Sequence, residues 1–270
     1  MPVDMNTSIK AFNHILPKVQ FIIKQLGLQL SKSTGRPLSI TPDKIITLGI
    51  FWKKQGIKTK KSLWQIFDLT CSYKTLVVLL NKFAQEILIV IQAVMHENRK
   101  HAHLVKHTDS TDIPVCLTKN ATHHRSMKGL ASWGHSGKGL YYGIKMNITT
   151  DLEGRLLALH FASGNGDDRK AFMKMNKNLY GIFVADAGYT SADLAKNFFI
   201  EHTRVLFAKP RANMKKLATK LQSELYDTRT LIEQHFRNLK EFYILVTSLP
   251  RSVTGYLSNY LYSLLAYVLA

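Results

Sequence analysis

The sequence is poor in cysteine, in acidic residues and in long apolar runs. Only Cys71 and Cys116 are cysteine among its 270 residues, too few and too far apart for a disulfide framework or a cysteine-based zinc site. The strongest apolar runs, 86–95 and 256–270, are shorter than the roughly 20 residues that span a bilayer. No apolar signal core is seen at the N-terminus. We therefore expect a cytoplasmic protein with reduced thiols and no membrane partner, in which both runs are core helices.

Basic residues outnumber acidic residues in the sequence. Lys and Arg number 37 against 18 Asp and Glu, which gives a formal net charge of +19. The bases are spread along the chain rather than gathered in a tail, so the folded surface itself should be positive. No basic amphipathic helix lies beside an anchor, and the charge therefore favours nucleic acid over lipid as the partner.

Helical periodicity dominates the first 100 residues. Pro17 should break or start a helix, and Gly35-Arg36-Pro37 is typical of a linker. Thr41 and Pro42 predict the N-cap and first residue of a helix that ends at Gly56. A short basic helix near 63–67 follows, and a longer helix is expected from 72 to 98.

These features predict a small all-α N-terminal domain over residues 1–100. The two short helices with a glycine turn and a basic entrance resemble a helix-turn-helix that would bind DNA ends. The same pattern occurs in helical bundles, so a scaffold role stays open.

The pattern changes near residue 100. Strands are predicted at 103–109, 139–150 and 155–163. A helix follows, and the strands 181–185 and 204–209 then alternate with further helices. This order is that of a ribonuclease H-like mixed sheet flanked by helices. We therefore predict an α/β domain over residues 101–270.

The stretch from Tyr226 to Lys240 predicts one amphipathic helix that carries an acid among bases. Tyr226, Arg229, Glu233 and Lys240 fall within about 60° of one another on a helical wheel. Glu233 could equally form surface ion pairs with Arg229 and Arg237, each four residues away. Spacing alone leaves both interpretations open. An apolar stripe beside this face consists of Leu225, Ile232, Phe236, Leu239 and Tyr243.

The same four residues match the Y-x2-R-x3-E-x6-K signature of a group of bacterial insertion-sequence transposases. The chain resembles that family also in D-S-T-D-I-P-V from Asp109, G-N-G-D-D-R from Gly164 and D-A-G-Y from Asp186. The resemblance covers about residues 105–270. It implies a ribonuclease H-like catalytic domain in which Asp109, Asp186 and Glu233 are the catalytic and metal-binding residues.

Three carboxylates suit a hard cation. Mg²⁺ prefers carboxylate, water and phosphate oxygens, and two ions about 4 Å apart can serve both the attacking and the leaving oxygen of a phosphodiester. We expect two Mg²⁺ or Mn²⁺ ions. Asp109 should end the first strand and Asp186 the fourth, so that their carboxylates meet at one edge of the sheet. Asp112 is a rival for the role of Asp109, but the family pattern favours the earlier residue.

The resemblance and the charge together predict DNA contacts. The expected function is metal-dependent cleavage at insertion-sequence ends and strand transfer into double-stranded target DNA, by a homodimer or larger assembly associated with the nucleoid. The alternatives are a ribonuclease H-like nuclease without strand transfer and a catalytically inactive DNA-binding derivative.

The residues expected to contact DNA are Tyr226, Arg229, Arg237 and Lys240, and the basic loop of His123, His124, Arg125 and Lys128.

Overall fold

The computed structural model describes residues 5–30, 37–210 and 219–269, and its chain forms two compact units. One unit comprises Met1–Val94 and Asn238–Ala270, and the other comprises Met95–Arg237. The predicted domains, 1–100 and 101–270, and the roles assigned to them stay predictions. Gly35 and Arg36 of the predicted linker lie outside the described residues.

The first unit is helical and is built around a buried helix, α2 (Pro42–Lys54). As predicted, α2 begins with Pro42 after the extended residue Thr41. It ends before Gly56, whose φ of +59° is left-handed. The other helices in order are α1 (Met5–Gln25), α3 (Lys60–Ile66), α4 (Tyr73–Lys82), α5 (Ala84–Lys100), whose residues from Met95 onward belong to the second unit, and, near the C-terminus, α10 (Val253–Val268).

Two helix predictions in this unit were wrong. Helix α1 continues through Pro17, because the ring removes only one backbone hydrogen bond while Ile15 and Val19 on either side are buried. The helix expected from 72 to 98 is divided at Phe83, whose side chain is fully buried, into α4 and α5. The apolar run 256–270 does form a core helix, since most of α10 is buried.

A membrane span requires a helix of sufficient length and apolar content. Over the described ranges no single helix is long and apolar enough to cross a bilayer. Helices α4 and α5 reach that length and composition only as a pair, and the pair is bent by 44°.

The second unit contains a six-stranded mixed sheet in the order β2-β3-β1-β5-β6, with β4 also paired to β3. The pairs β1–β3, β2–β3 and β3–β4 are antiparallel, and β1–β5 and β5–β6 are parallel. This confirms the predicted fold class, a mixed α/β sheet flanked by helices and preceded by helices. The strands are β1 (Val105–Pro114), β2 (Ser132–Ser136), β3 (Gly139–Asp151), β4 (Leu156–Ser163), β5 (Gly181–Ala185) and β6 (Arg204–Ala208).

Strand β1 is longer than predicted. Asp109 was expected to end it, but β1 continues to Pro114. The reason is that β3 pairs with β1 from Lys106 to Pro114, so the strand stays hydrogen-bonded after its parallel pairing with β5 ends. Asp109 therefore lies in the middle of a strand. Strand β2 was not predicted, because its five residues lack a clear apolar alternation and it is held mainly by pairing with β3.

The single helix expected from Tyr226 to Lys240 is also divided. Helix α8 (Lys220–Asp227) ends at Asp227 with Thr228 as its C-cap, and α9 (Thr230–Glu241) begins after Arg229. Backbone bonds from Arg229 N to Tyr226 O, 3.2 Å, and from Leu231 N to Thr228 O, 3.2 Å, span three residues instead of four and tighten the chain here. The predicted apolar stripe is buried at Leu225, Ile232, Phe236 and Leu239. The remaining helices are α6 (Asp168–Met175) and α7 (Ala192–Phe198).

Candidate catalytic site

Two of the predicted acids come from adjacent parallel strands. In the register of β1 with β5, His107 is opposite Val184. Continued by two residues, this register would set Asp109 level with Asp186, which directly follows the end of β5. The pairing that aligns them is parallel, so both side chains lie near the carboxyl end of β5, where parallel sheets commonly bind ligands.

Two hydrogen bonds at Gly188 hold the loop that carries Asp186. The Oδ1 atom of Asp186 accepts a hydrogen bond from Gly188 N at 2.9 Å. Arg169, near the start of α6, donates from Nε to Gly188 O at 3.0 Å, and Asp167 caps the same helix by accepting from Arg169 N at 2.9 Å. The G-N-G-D-D-R stretch therefore supports the Asp186 loop, and Asp167 is a helix cap.

Arg229 joins the acid on β1 to the acid on α9. Its Nη2 atom lies 3.1 Å from Asp109 Oδ2 and 3.1 Å from Glu233 Oε1. The two carboxylate oxygens are thus no more than about 6 Å apart, since both contact the same nitrogen. Asp109 is largely enclosed, with 14% of its side chain exposed, whereas Glu233 is 58% exposed.

The pKa shifts of Asp109 and Arg229 reflect the charges around them. Burial and the charge of Asp186 raise the pKa of Asp109 to about 6, against the opposing effects of Arg229 and the Ser110 N–H. Burial alone would lower the pKa of Arg229, but the charges of Asp109, Asp186 and Glu233 outweigh it and raise that pKa. The site therefore concentrates negative charge around one cation.

His107 and Thr228 complete this arrangement and were missed by sequence reasoning. Thr228 Oγ1 donates its only hydrogen to Leu225 O at 2.7 Å, so it accepts from His107 Nε2 at 2.8 Å. This bond ties β1 to the junction between α8 and α9, immediately before Arg229. The available signal was strand alternation, because residues two apart, such as His107 and Asp109, lie on the same face.

The donor set is suited to a divalent metal in its chemistry. Asp109, Asp186 and Glu233 offer only carboxylate oxygens, the ligands that Mg²⁺ and Mn²⁺ favour. As they stand, no group of three or more His, Cys, Asp or Glu side chains among the described residues is arranged to hold a metal ion. Arg229 supplies the positive charge between Asp109 and Glu233 instead. Both acids would need to turn toward a shared ion.

The other predicted DNA contacts are distributed over the surface. The Tyr226 hydroxyl donates to Ala208 O at 3.1 Å, and burial raises its pKa. Arg237 is exposed on α9, whereas Lys240, in the last turn of that helix, belongs to the helical unit and is partly buried. The basic loop begins at the end of the 3-10 helix Thr118–His123. Its residues His123, Arg125 and Lys128 are exposed. The His124 ring lies 6.1 Å from that of Tyr142.

Comparison with known proteins identifies the family. The model of the family described as "Transposase DDE domain" matches residues 99–253, more than half of the chain. No curated protein and no solved structure matches. Transposases of this family act on DNA and generally depend on divalent metal. The matched segment contains all six strands of the sheet and the residues Asp109, Asp186 and Glu233, and the chain belongs to the DDE transposase family.

Proposed function

We propose that this DDE transposase cleaves DNA at the ends of an insertion sequence and joins the freed ends to target DNA, with Asp109, Asp186 and Glu233 as its metal ligands. The observation that carries the proposal is that Asp109 on β1 and Glu233 on α9 contact one cation, Arg229, while the charge of Asp186, which follows β5, helps to raise the pKa of both Asp109 and Arg229. A structural ion pair with Arg229 needs no third carboxylate.

In this proposal each step forms one phosphorus–oxygen bond and breaks another. Water forms a bond to phosphorus at the element's end, and the bond from phosphorus to the 3′ oxygen breaks and leaves a free 3′-hydroxyl. That hydroxyl then forms a bond to a phosphorus of the target, and the bond from that phosphorus to the target's own 3′ oxygen breaks and leaves a second 3′-hydroxyl. Bound Mg²⁺ would lower the pKa of the attacking group and stabilise the leaving oxygen. The chain's own part is to hold the three carboxylates in place and to orient the DNA.

Substrate binding would rest on the chain's positive charge. A formal net charge of +19 favours a polyanion and makes its affinity strongly salt-dependent. Arg229, Arg237 and Lys240 would neutralise phosphates near the cleaved bond, and Tyr226 would stack or donate a hydrogen bond. The basic loop of His123, His124, Arg125 and Lys128 would contact the backbone further away. We propose that the active form is a homodimer or larger assembly on DNA.

The test replaces each acid by its amide. Asp109→Asn, Asp186→Asn and Glu233→Gln should each abolish Mg²⁺-dependent cleavage of end DNA while DNA binding is kept. Asp112→Asn is the matched control, because Asp112 is the sequence rival of Asp109 but is separated from it by an odd number of strand positions and so faces the other side of β1. Undiminished cleavage in all three variants, or loss only in Asp112→Asn, would refute the assignment.

Two further assays separate the rival functions. If the protein fails to join a precut 3′-hydroxyl end to plasmid DNA although it cleaves, it is a nuclease without strand transfer. Tight, salt-sensitive DNA binding with no affinity for divalent metal would identify a catalytically inactive DNA-binding derivative.

A further inference from the structure

We propose that Arg229 is an internal cation that holds Asp109 and Glu233 in the absence of DNA, and that it leaves them for a phosphate when DNA binds, so that DNA strengthens metal binding. This inference rests on the proposed function, in which the acids bind metal and Arg229 contacts DNA. It adds a coupling between those two events, carried by one side chain.

The first argument is the position of the guanidinium. One nitrogen, Nη2, is 3.1 Å from an oxygen of each acid. Mg²⁺ binds its oxygen ligands at about 2.0–2.1 Å, so an ion bound to both of these oxygens would lie within about 5 Å of Nη2. Arg229 and a divalent ion would also repel each other at such short range. The two cations therefore compete for Asp109 and Glu233.

The second argument is that Arg229 is incompletely satisfied where it lies. Its Nε atom is buried and has no hydrogen-bond partner, although a guanidinium offers five donors in a fixed fork. Leaving a buried donor unpaired is unfavourable. A phosphate could accept two parallel bonds from the same fork, which gives Arg229 a physical reason to exchange the acids for DNA.

The third argument is that release requires little rearrangement. Glu233 is 58% exposed and Arg229 is 21% exposed, so both side chains can turn toward solvent. Meanwhile the backbone at the junction stays fixed through Thr228 and His107. Once a phosphate takes Arg229, Asp109 and Glu233 lose a cation and their affinity for metal should rise. Linkage then requires that metal raise the affinity for DNA by the same factor.

The test measures Mn²⁺ binding to the full chain, by the electron paramagnetic resonance signal of free Mn²⁺, without relying on activity. In the absence of DNA, Arg229→Gln should bind Mn²⁺ at least about fivefold more tightly than the wild type, the lower end of typical coupling between linked sites. A double-stranded oligonucleotide should tighten Mn²⁺ binding by the wild type to a similar extent, after subtraction of binding to DNA alone. The same oligonucleotide should have little effect on Arg229→Gln.

Two variants control for charge and folding. Lys196→Gln removes the same charge from an exposed position on α7, outside the proposed site, and should leave Mn²⁺ affinity without DNA near the wild-type value. Arg229→Lys keeps a cation beside the acids and should also stay near the wild type. Melting temperatures establish that each variant is folded, and Arg229→Lys keeps the question testable if Arg229→Gln is unstable.

The outcomes separate this inference from the proposed function. If Asp109→Asn binds Mn²⁺ as tightly as the wild type does, the acids are not metal ligands and the proposed function fails. If Asp109→Asn abolishes Mn²⁺ binding but Arg229→Gln binds no more tightly than the wild type, only the internal-cation role is overturned. Equal tightening by Lys196→Gln would likewise overturn it, since the effect would then be one of overall charge.

Discussion

Replacing His107 by phenylalanine tests how the junction between α8 and α9 is positioned. His107 is fully buried, and its Nε2 donates to Thr228 Oγ1 at 2.8 Å. Phenylalanine fills a similar volume but removes this donor. A hydrogen bond of this kind contributes about 1 kcal/mol net. The Nδ1 atom of His107, buried without a partner, is removed as well, which offsets part of the loss. We therefore expect His107→Phe to lower the free energy of unfolding by only about 1 kcal/mol.

The effect on catalysis should be larger than the effect on stability. Thr228 directly precedes Arg229, and Glu233 lies one turn further on in α9. A misplacement of about 1 Å in a catalytic group can cost on the order of 100-fold in rate. We expect His107→Phe to reduce kcat for end cleavage by about 10- to 100-fold.

Glutamine provides the matched comparison at this position. The side-chain amide of His107→Gln can place a donor near the position of the imidazole Nε2, so this variant should stay within a few-fold of the wild type. Urea unfolding and cleavage kinetics on the same preparations separate the two effects. If His107→Phe cleaves as well as the wild type, the hydrogen bond to Thr228 does not position the junction and our reasoning is wrong.

Three further predictions concern stability. Gly143→Ala would place its Cβ 2.2 Å from the carbonyl oxygen of Ile113, in the middle of the sheet, and should lower the free energy of unfolding in urea by about 3–5 kcal/mol. In the control Gly137→Ala the new Cβ has nothing within 4 Å, and the free energy of unfolding should change by less than about 0.5 kcal/mol. Asp167→Ala removes the N-cap of α6 and should cost about 1 kcal/mol by the same measurement, whereas an unchanged value would show that the cap is dispensable. Burial lowers the pKa of Lys60 to about 8 from a usual 10.5, so the folded chain gives up this proton before the unfolded chain does as the pH rises. Relative to Lys60→Met, the wild type should therefore gain stability between pH 8 and 10.5, and parallel unfolding profiles would contradict this.

Elements with strong local signals were predicted closely. Strand β5 was predicted at its observed limits, and β3 and β4 within one residue, because apolar runs and turn residues bound them on both sides. The start of α2 followed from Thr41 and Pro42. Such signals act between residues a few positions apart, so they can be read without knowing the rest of the fold.

Other features depended on distant partners. Helix α1 passes through Pro17 because Ile15 and Val19 are buried, which the proline alone does not indicate. Strand β1 continues beyond Asp109 because β3 pairs with it. The break between α8 and α9 coincides with a bond between His107 and Thr228, which are 121 residues apart.

The sequence by itself determined the composition of the site: which acids are candidates, the elements that carry them, and the excess of positive charge that favours DNA. Residue types and short spacings carry that information, because helix and strand periods are local. Only the tertiary structure decided that β1 and β5 pair in a register that sets Asp109 level with Asp186. It alone placed Arg229 between Asp109 and Glu233, since contacts between elements more than 100 residues apart depend on packing of the whole unit.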